Sequence, residues 1–433
     1  MRIAIIGAGI GGLTAAFDLV NAGHAVTIFE RDQKPGGLAG GFRKEAWDWS
    51  VENFYHHWFW TDKPMLKLIE DLGLSEKVVF SKPKTVVYHS GDFFPLDSVS
   101  SVLKFPGFSF FDKMRFGTVT AYLKYLSGWR RLEKYTAVDW IKRFYGGNLY
   151  KIFFEPLLVG KFHDHYQDVN MAWMWARFKA RSAKLGTYQG GFQQFLDDFS
   201  QILSEKGVIF KYNTTIKEIT SRHDERLSIK NIQGSVNQFD QVLVTIPPPL
   251  FAKMVPILPD EYLNKINQLK GTGAIVMVFE LCRQLSERGY YWYNMPKSAG
   301  FPFLALVEHT NFVSSKHFNG NHIVYCGDYL DNNHPYFSYS ESELTDLYLS
   351  AFNKINPEFS NDWIVDKWLF KAPFAQPIPF INHSKILVDI KTPIKGLFLA
   401  SMSQIYPWDR GTNYAVAFAH QATQIMLSEQ KNG

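Results

Sequence analysis

The stretch RIAIIGAGIGG, residues 2–12, decides the fold. Its first five residues form a short apolar run rich in isoleucine, which suits a strand buried on both faces of a parallel sheet. Gly7, Gly9 and Gly12 then make a G-x-G-x-x-G run that also holds Ile10 and Gly11. Residues 13–22 read as helix, and residues 25–29 (AVTIF) as a second strand ending in Glu30. Each part has a physical task. Gly7 permits the tight turn, Gly9 lets the backbone approach a pyrophosphate, and Gly12 lets helix and strand pack closely. The helix N-terminus offers that pyrophosphate unpaired N–H groups and a positive dipole end. Glu30, about 20 residues on, is placed to accept from ribose hydroxyls. Strand, glycines, helix, strand and acid agree on a bound dinucleotide.

Outward from this unit, Arg31 and then Lys34-Pro35-Gly36-Gly37-Leu38-Ala39-Gly40-Gly41 follow directly. A nicotinamide-binding domain would proceed into its next crossover helix. A second glycine cluster instead lets backbone amides contact more of a long dinucleotide. At this point the sequence resembles the FAD-dependent amine oxidase superfamily, which includes protoporphyrinogen oxidases, phytoene-type desaturases and UDP-galactopyranose mutases. Arg31 and the Gly36-Gly37 pair match its FAD signature, with Leu38 where many members carry arginine. The resemblance implies an α/β chain with a Rossmann-like FAD-binding domain and a discontinuous α+β substrate domain. Residues 1–60, 186–250 and 383–433 are expected to form the first, and 61–185 and 251–382 the second. FAD is expected to be non-covalent, because no cysteine lies in the C-terminal region where some amine oxidases attach it.

The same resemblance assigns later segments. Residues 186–192 (GTYQGGF) look like the superfamily's internal glycine pair, with an amphipathic helix following through residue 203. Ile216 is implied to meet the adenine end of FAD. Residues 239–247 (FDQVLVTIP) and 396–401 (GLFLAS) match two further strands, with Ser401 in place of the usual glycine. Residues 406–415 (YPWDRGTNYA) then open a helix that reaches about residue 428 and is aimed, in relatives, at the flavin N1/C2=O edge. Negative charge gathers there on reduction, and a helix N-terminus stabilises it. The amides of Thr412, Asn413 and Tyr414 are the expected contacts. Arg410 is the expected clamp for an FAD phosphate or substrate anion, with a local Asp409–Arg410 turn contact as the alternative.

Residues 52–62 (ENFYHHWFWTD) fall where relatives face the isoalloxazine ring, and residues 57–61 resemble a mutase run lacking its glycine and proline. Imidazole titrates near neutral pH, so His57, and after it His56, is the catalytic candidate. A structural histidine in an aromatic layer is the alternative. His163-Asp164-His165 offers metal-ligand types, yet Lys161 and Gln167 beside it read as a polar loop, and no metal is expected. Residues 273–279 (GAIVMVF) are wholly apolar where amine-oxidising relatives carry a lysine, with Lys270 just outside. That argues against simple amine oxidation.

Composition bounds the rest. The 433 residues are 46% hydrophobic and 20% charged, enough for two domains with real cores. The aromatic share of 16% exceeds what a core needs and points to large greasy surfaces. A net charge of +5 with no basic block argues against a nucleic-acid partner. Two cysteines, Cys282 and Cys326, provide no disulfide framework and suit a reducing, cytoplasmic compartment. No signal peptide is expected ahead of the strand at Arg2, and no apolar run reaches the ~18 residues of a spanning helix. Residues 63–74, 111–126, 136–144 and 340–354 show helical periodicity; 274–280, 303–307 and 322–327 read as an antiparallel sheet. Residues 99–132 mix aromatics with Lys104, Lys113, Arg115, Lys124, Arg130 and Arg131. Burial of those aromatics is the preferred reading, with peripheral contact at the inner face of a membrane as the alternative.

The expected function is oxidation or desaturation of a large hydrophobic small molecule, isoprenoid- or tetrapyrrole-like, by hydride transfer to FAD. The rival is a mutase-like enzyme using reduced FAD as nucleophile. It requires arginines converging on a diphosphate, for which Arg177, Arg181 and Arg410 are the nominees.

Overall fold

The computed structural model describes residues 1–180, 182–221 and 226–430. Five parallel strands lie in the order Ile209–Lys211, Ala25–Phe29, Arg2–Ile6, Gln241–Val244 and Leu397–Leu399. Neighbours come from distant parts of the chain: Ile3 lies opposite Gln241, and Val242 opposite Leu397. Along the first strand Ile3 and Ile5 enter one core and Ala4 and Ile6 another, the two-residue period of a sheet covered on both faces. One face carries the helices Ile10–Asn21, Phe192–Glu205 and Thr412–Gln430, joined through Leu13, Leu19, Phe195, Phe199, Val416 and Met426. The other is covered by Phe251, Ile266 and a small antiparallel sheet of Ile216–Ser221, Leu227–Asn231 and Val236–Phe239.

A second, seven-stranded sheet runs Ile364–Pro377, Gly271–Leu281, His322–Leu330, Ala305–Glu308, Tyr290–Asn294, Lys84–His89 and Asp92–Pro95. It is antiparallel except where Tyr290–Asn294 pairs in parallel with Lys84–His89. The three strands read from the sequence are present in it. The longest, Ile364–Pro377, was not read, because Pro373, Pro377 and several charges break a strand pattern; at the sheet's edge prolines cost no ladder bonds.

A helical layer completes the molecule. Its core gathers Phe105, Phe108, Leu123, Tyr145, Phe154 and Trp173. The helix expected over 111–126 is Phe110–Ala121, continued by a π-helical turn over Tyr122–Leu126; that over 340–354 stops at Leu349. The preferred burial of the 99–132 aromatics is corrected here. Phe105, Phe108 and Leu123 are buried, but Phe110, Phe111 and Tyr125 are 72%, 81% and 72% exposed. Among the described residues no helix is long and apolar enough to cross a membrane.

Candidate active site

A cleft of about 960 Å³ opens where the parallel strands end. Ile6, Phe29, Thr245 and Ala400, each at or just past the carboxyl end of a strand, line its floor, the place where open α/β sheets hold ligands. Gly7, Gly9, Ile10 and Gly11 form one wall. Gly7 has φ +106°, and a Cβ on Gly12 would sit 2.0 Å from the Gly7 carbonyl oxygen, so the turn closes only around glycine. Gly12 therefore supports the wall from behind rather than lining it. At Gly9 a Cβ would come no nearer than 4.0 Å to Gly36 and Gly37, so it would only take up room beside them.

Glu30 is buried, and its carboxylate accepts from the amides of Ala8 at 2.7 Å and Asp32 at 3.0 Å. It thus holds the glycine turn in shape while lining the cleft. Arg31 lines the mouth with its side chain 70% exposed. Gly36, Gly37 and Leu38 supply the facing loop, which Gln193 ties down. That amide accepts from Gly41 at 2.9 Å and donates to Pro35 at 3.0 Å, a role no sequence motif announced. Ile216, 7% exposed, lines the cleft beside Thr214 and Thr215. The Gly190-Gly191 pair serves a different end: a Cβ on Gly191 would strike the Ser50 carbonyl at 2.4 Å, so the pair seats the segment leading to Glu52.

At the C-terminal side, Gly411, Thr412 and Ala415 bring the start of the Thr412–Gln430 helix to the cleft. Two of the expected contacts are redirected. The Tyr414 amide already donates to Gly411 at 3.2 Å, and its ring stacks on Trp408 at 5.4 Å. The Asn413 side chain accepts from the Met65 amide at 3.1 Å, pinning the Lys63–Asp71 helix, so only its backbone amide is left as a candidate beside that of Thr412. Arg410 lines the cleft, donating from Nε to Gln376 at 3.0 Å and from its guanidinium to the Tyr329 hydroxyl, over whose ring it sits. The local turn contact is present too, since the Arg410 amide donates to Asp409 at 3.1 Å.

Of the two histidines, the structure places His56 on the cleft and His57 behind it, among Phe59, Tyr291 and Trp292. Burial pushes the His56 imidazole down to about 4, so it is neutral where an ordinary histidine begins to titrate. Its Nδ1 faces the Phe54 carbonyl, which can only accept, so Nδ1 carries the proton and Nε2 is left as an acceptor. Beside it a small extension, with room for about one water, is lined by Leu38, Phe54, Tyr55, Ala274, Val276 and Ala375 together with Asp328, Tyr329 and Arg410. Residues 370–377 of the edge strand form the wall opposite the glycines. The alanine- and proline-spaced run KAPFAQP was the only signal in the sequence that this strand approaches a ligand. Lys270 lies exposed on the cleft lining, and Lys371 is tied to the carbonyls of Phe337 and Tyr339.

Of the arginines nominated for a diphosphate, the two described ones are both committed to protein partners. Arg177 is buried and bonded to Asp409 at 2.9 Å, Arg410 is held as described, and Arg181 lies outside the described residues. His163, Asp164 and Asp331 bring potential ligand atoms within 4.8 Å of one another, and none of the three lines the cleft.

A strand-end cleft with a glycine turn, a buried acid holding it, a second glycine loop and a helix N-terminus defines a dinucleotide-binding flavoenzyme of the two-sheet type. FAD fits the residues present: open backbone at Gly9, a buried acid, and a cleft long enough to reach from Ile216 to Thr412. The chain belongs to the flavin containing amine oxidoreductase family, whose model matches residues 10–424, and it is an FAD-dependent oxidoreductase. It is 23% identical over 321 residues to coproporphyrinogen III oxidase of Staphylococcus aureus, covering 64% of this chain and 67% of that one. With 15-cis-phytoene desaturase of Synechococcus elongatus it shares 28% identity over 158 residues, only 33% of either chain. Reduced UDP-galactopyranose mutase has the same fold, with a TM-score of 0.78 at 16% identity over 99% of this chain and 95% of that one.

Proposed function

We propose that this oxidoreductase oxidises or desaturates a large hydrophobic, conjugated molecule of isoprenoid or tetrapyrrole type, with FAD bound non-covalently. The observation that carries the reading is the apolar end of the cleft. Phe54, Phe370, Ala372, Phe374 and Ala375 line it, and Arg410 there is already bonded to Gln376 and Tyr329. The two curated relatives named above are a desaturase and a porphyrinogen oxidase, which agrees with it.

Bound FAD supplies a hydride acceptor. The chain's own residues do the rest. Gly9, Gly11, Gly37 and the Thr412 amide hold the dinucleotide, and Glu30 keeps the glycine turn closed. The apolar wall excludes water and orients the substrate. Neutral His56 offers Nε2 as a hydrogen-bond acceptor at the junction of cleft and extension. Strand Gly271–Leu281, buried and without a lysine, offers no ammonium for amine chemistry.

The test is the visible spectrum of the anaerobic protein during titration with porphyrinogens, carotenoid precursors, amines and UDP-galactopyranose. Bleaching of the flavin band by a member of the first two classes is the expected result. Bleaching by amines alone, or isomerisation of the sugar nucleotide only by the chemically reduced protein, would overturn it.

A further inference from the structure

The outer face of the 99–131 layer is built as few water-facing surfaces are. Phe110–Ala121 and the following turn to Leu126 form one continuous helical rod. Phe116, Val119 and Leu123 face the core beneath it. On the opposite side Phe111, Met114, Tyr122 and Tyr125 recur at helical spacing, every one exposed, with Phe110 and Leu126 beside them. Leu103 and Val99 extend the patch from the preceding helix at 57% and 79% exposure. A helix apolar on both sides either lies inside a larger core or faces a second apolar medium.

Charge says which medium. Residues 99–131 carry six basic side chains and one acid, Asp112, a net +5 that equals the formal charge of the whole 433-residue chain. The remainder of the protein therefore balances to zero, and the positive excess of the chain equals that of this segment. Lys124 lies over Tyr125 and Arg130 over Trp129, long stems along aromatic rings with the charge at the tip, as in side chains that snorkel. Asp112 is occupied as a helix cap with Ser109 and Asn148. An apolar protein partner would match the phenylalanines but leave the cations without counter-charge. An anionic phospholipid surface matches both, with acyl chains for the rings and phosphates for the lysines and arginines.

We propose that this face docks the protein on an anionic phospholipid bilayer at interfacial depth. The face is coupled to the active site by packing. Ser127 accepts from the Trp175 indole at 3.2 Å, Trp175 lies 5.5 Å from Trp408, and Trp408 stacks on Tyr414 at the helix that opens on the cleft. Trp129 likewise packs on Tyr406 at 5.3 Å. A lipid-soluble substrate thus meets the protein at the surface nearest, by these contacts, to the Thr412 end of the cleft.

The experiment is co-sedimentation of the flavin-loaded full-length protein with vesicles of phosphatidylcholine alone or mixed equally with phosphatidylglycerol. It needs no substrate, so it stands or fails apart from the reaction assigned above. The expected result is binding to the mixed vesicles, weakened by salt. Phe110→Ser/Phe111→Ser/Tyr125→Ser should weaken it at least about tenfold. Lys104→Glu/Lys124→Glu/Arg130→Glu should weaken it by about a hundredfold on the anionic vesicles. Both variants change exposed residues, and retention of the flavin band shows that they are folded. Wild-type protein left in the supernatant with both vesicles overturns the proposal, as does binding that neither variant alters. A dimer that the serine variant dissociates, without vesicle binding, overturns it in favour of a second copy of the chain.

Discussion

The cleft has one wall held by backbone and one held by side chains. On the parallel-sheet side, close approach depends on atoms that are missing: Gly12 has no room for a Cβ, and Glu30 grips amides rather than side chains. On the opposite side, Gln376, Tyr329, Arg410, Asp409 and Arg177 are tied to one another across four elements. The first wall is rigid because alternatives are sterically closed; the second because a polar chain is satisfied inside an apolar sheet. The glycine wall therefore tolerates almost no substitution at Gly7 and Gly12, whereas the other can change residue types provided the chain of bonds is kept.

The largest effect should come from breaking the second wall. Arg177→Leu removes the cation held against Asp409 in a buried pair, and unfolding in denaturant should show a loss of about 3–5 kcal/mol. Asp409→Leu on that background should restore a good part of it; a single-variant cost close to zero would show that the pair does not brace this wall. Next, Gly12→Ala drives a Cβ into the Gly7 carbonyl and should cost about 3 kcal/mol and the flavin band with it. Gly23→Ala, at φ +83° but with nothing within 4 Å, should cost only about 1 kcal/mol. Equal costs at the two glycines would mean that crowding against the Gly7 carbonyl does not hold the turn closed.

Glu52 joins the walls, accepting from the Phe192 amide at 3.2 Å and the Tyr325 hydroxyl at 3.3 Å. Burial pushes its carboxyl up to about 7 from 4.5, so the fold holds a proton that the unfolded chain releases between those values. Its stabilising contribution is complete below about 4.5 and lost as pH rises through about 7, a swing on the order of 3 kcal/mol. Glu52→Gln should flatten that part of the stability–pH curve and be more stable than wild type above the upper value; an unchanged slope would clear Glu52. Smaller again is the effect of Glu30→Gln, where one of two amide donors loses its acceptor. About 1–2 kcal/mol of stability and about tenfold in FAD affinity should go, measured by flavin fluorescence on dilution.

The contrast explains what the sequence disclosed. Gly7, Gly12 and Glu30 are positions where geometry admits one or two residue types, so their spacing is a readable signature. Ile216 and Thr412 came from resemblance to relatives and lie on the cleft lining. The lean toward His57 rests on the likeness of residues 57–61 to a mutase run, which does not say which ring faces the ligand; Trp58 turns into the core at Phe192, and His57 lies in the aromatic layer. Gln376 and Gln193 gave no sign, since a glutamine's role depends on what folding sets beside it. The 99–132 aromatics differ from expectation for another reason: a phenylalanine looks the same in sequence whether it is buried in a core or stands on the surface.

The order of the parallel sheet also bears on how the molecule is made. Arg2–Ile6 is central, yet its partner Gln241–Val244 emerges from the ribosome far later, and the edge strand Leu397–Leu399 later still. Only Ala25–Phe29 is near in sequence, and a two-stranded ribbon of Val and Ile cannot stand alone in water. The nascent chain must therefore carry an apolar strand, unpaired on one edge, until those later segments are made, the exposed state that recruits chaperones and invites aggregation.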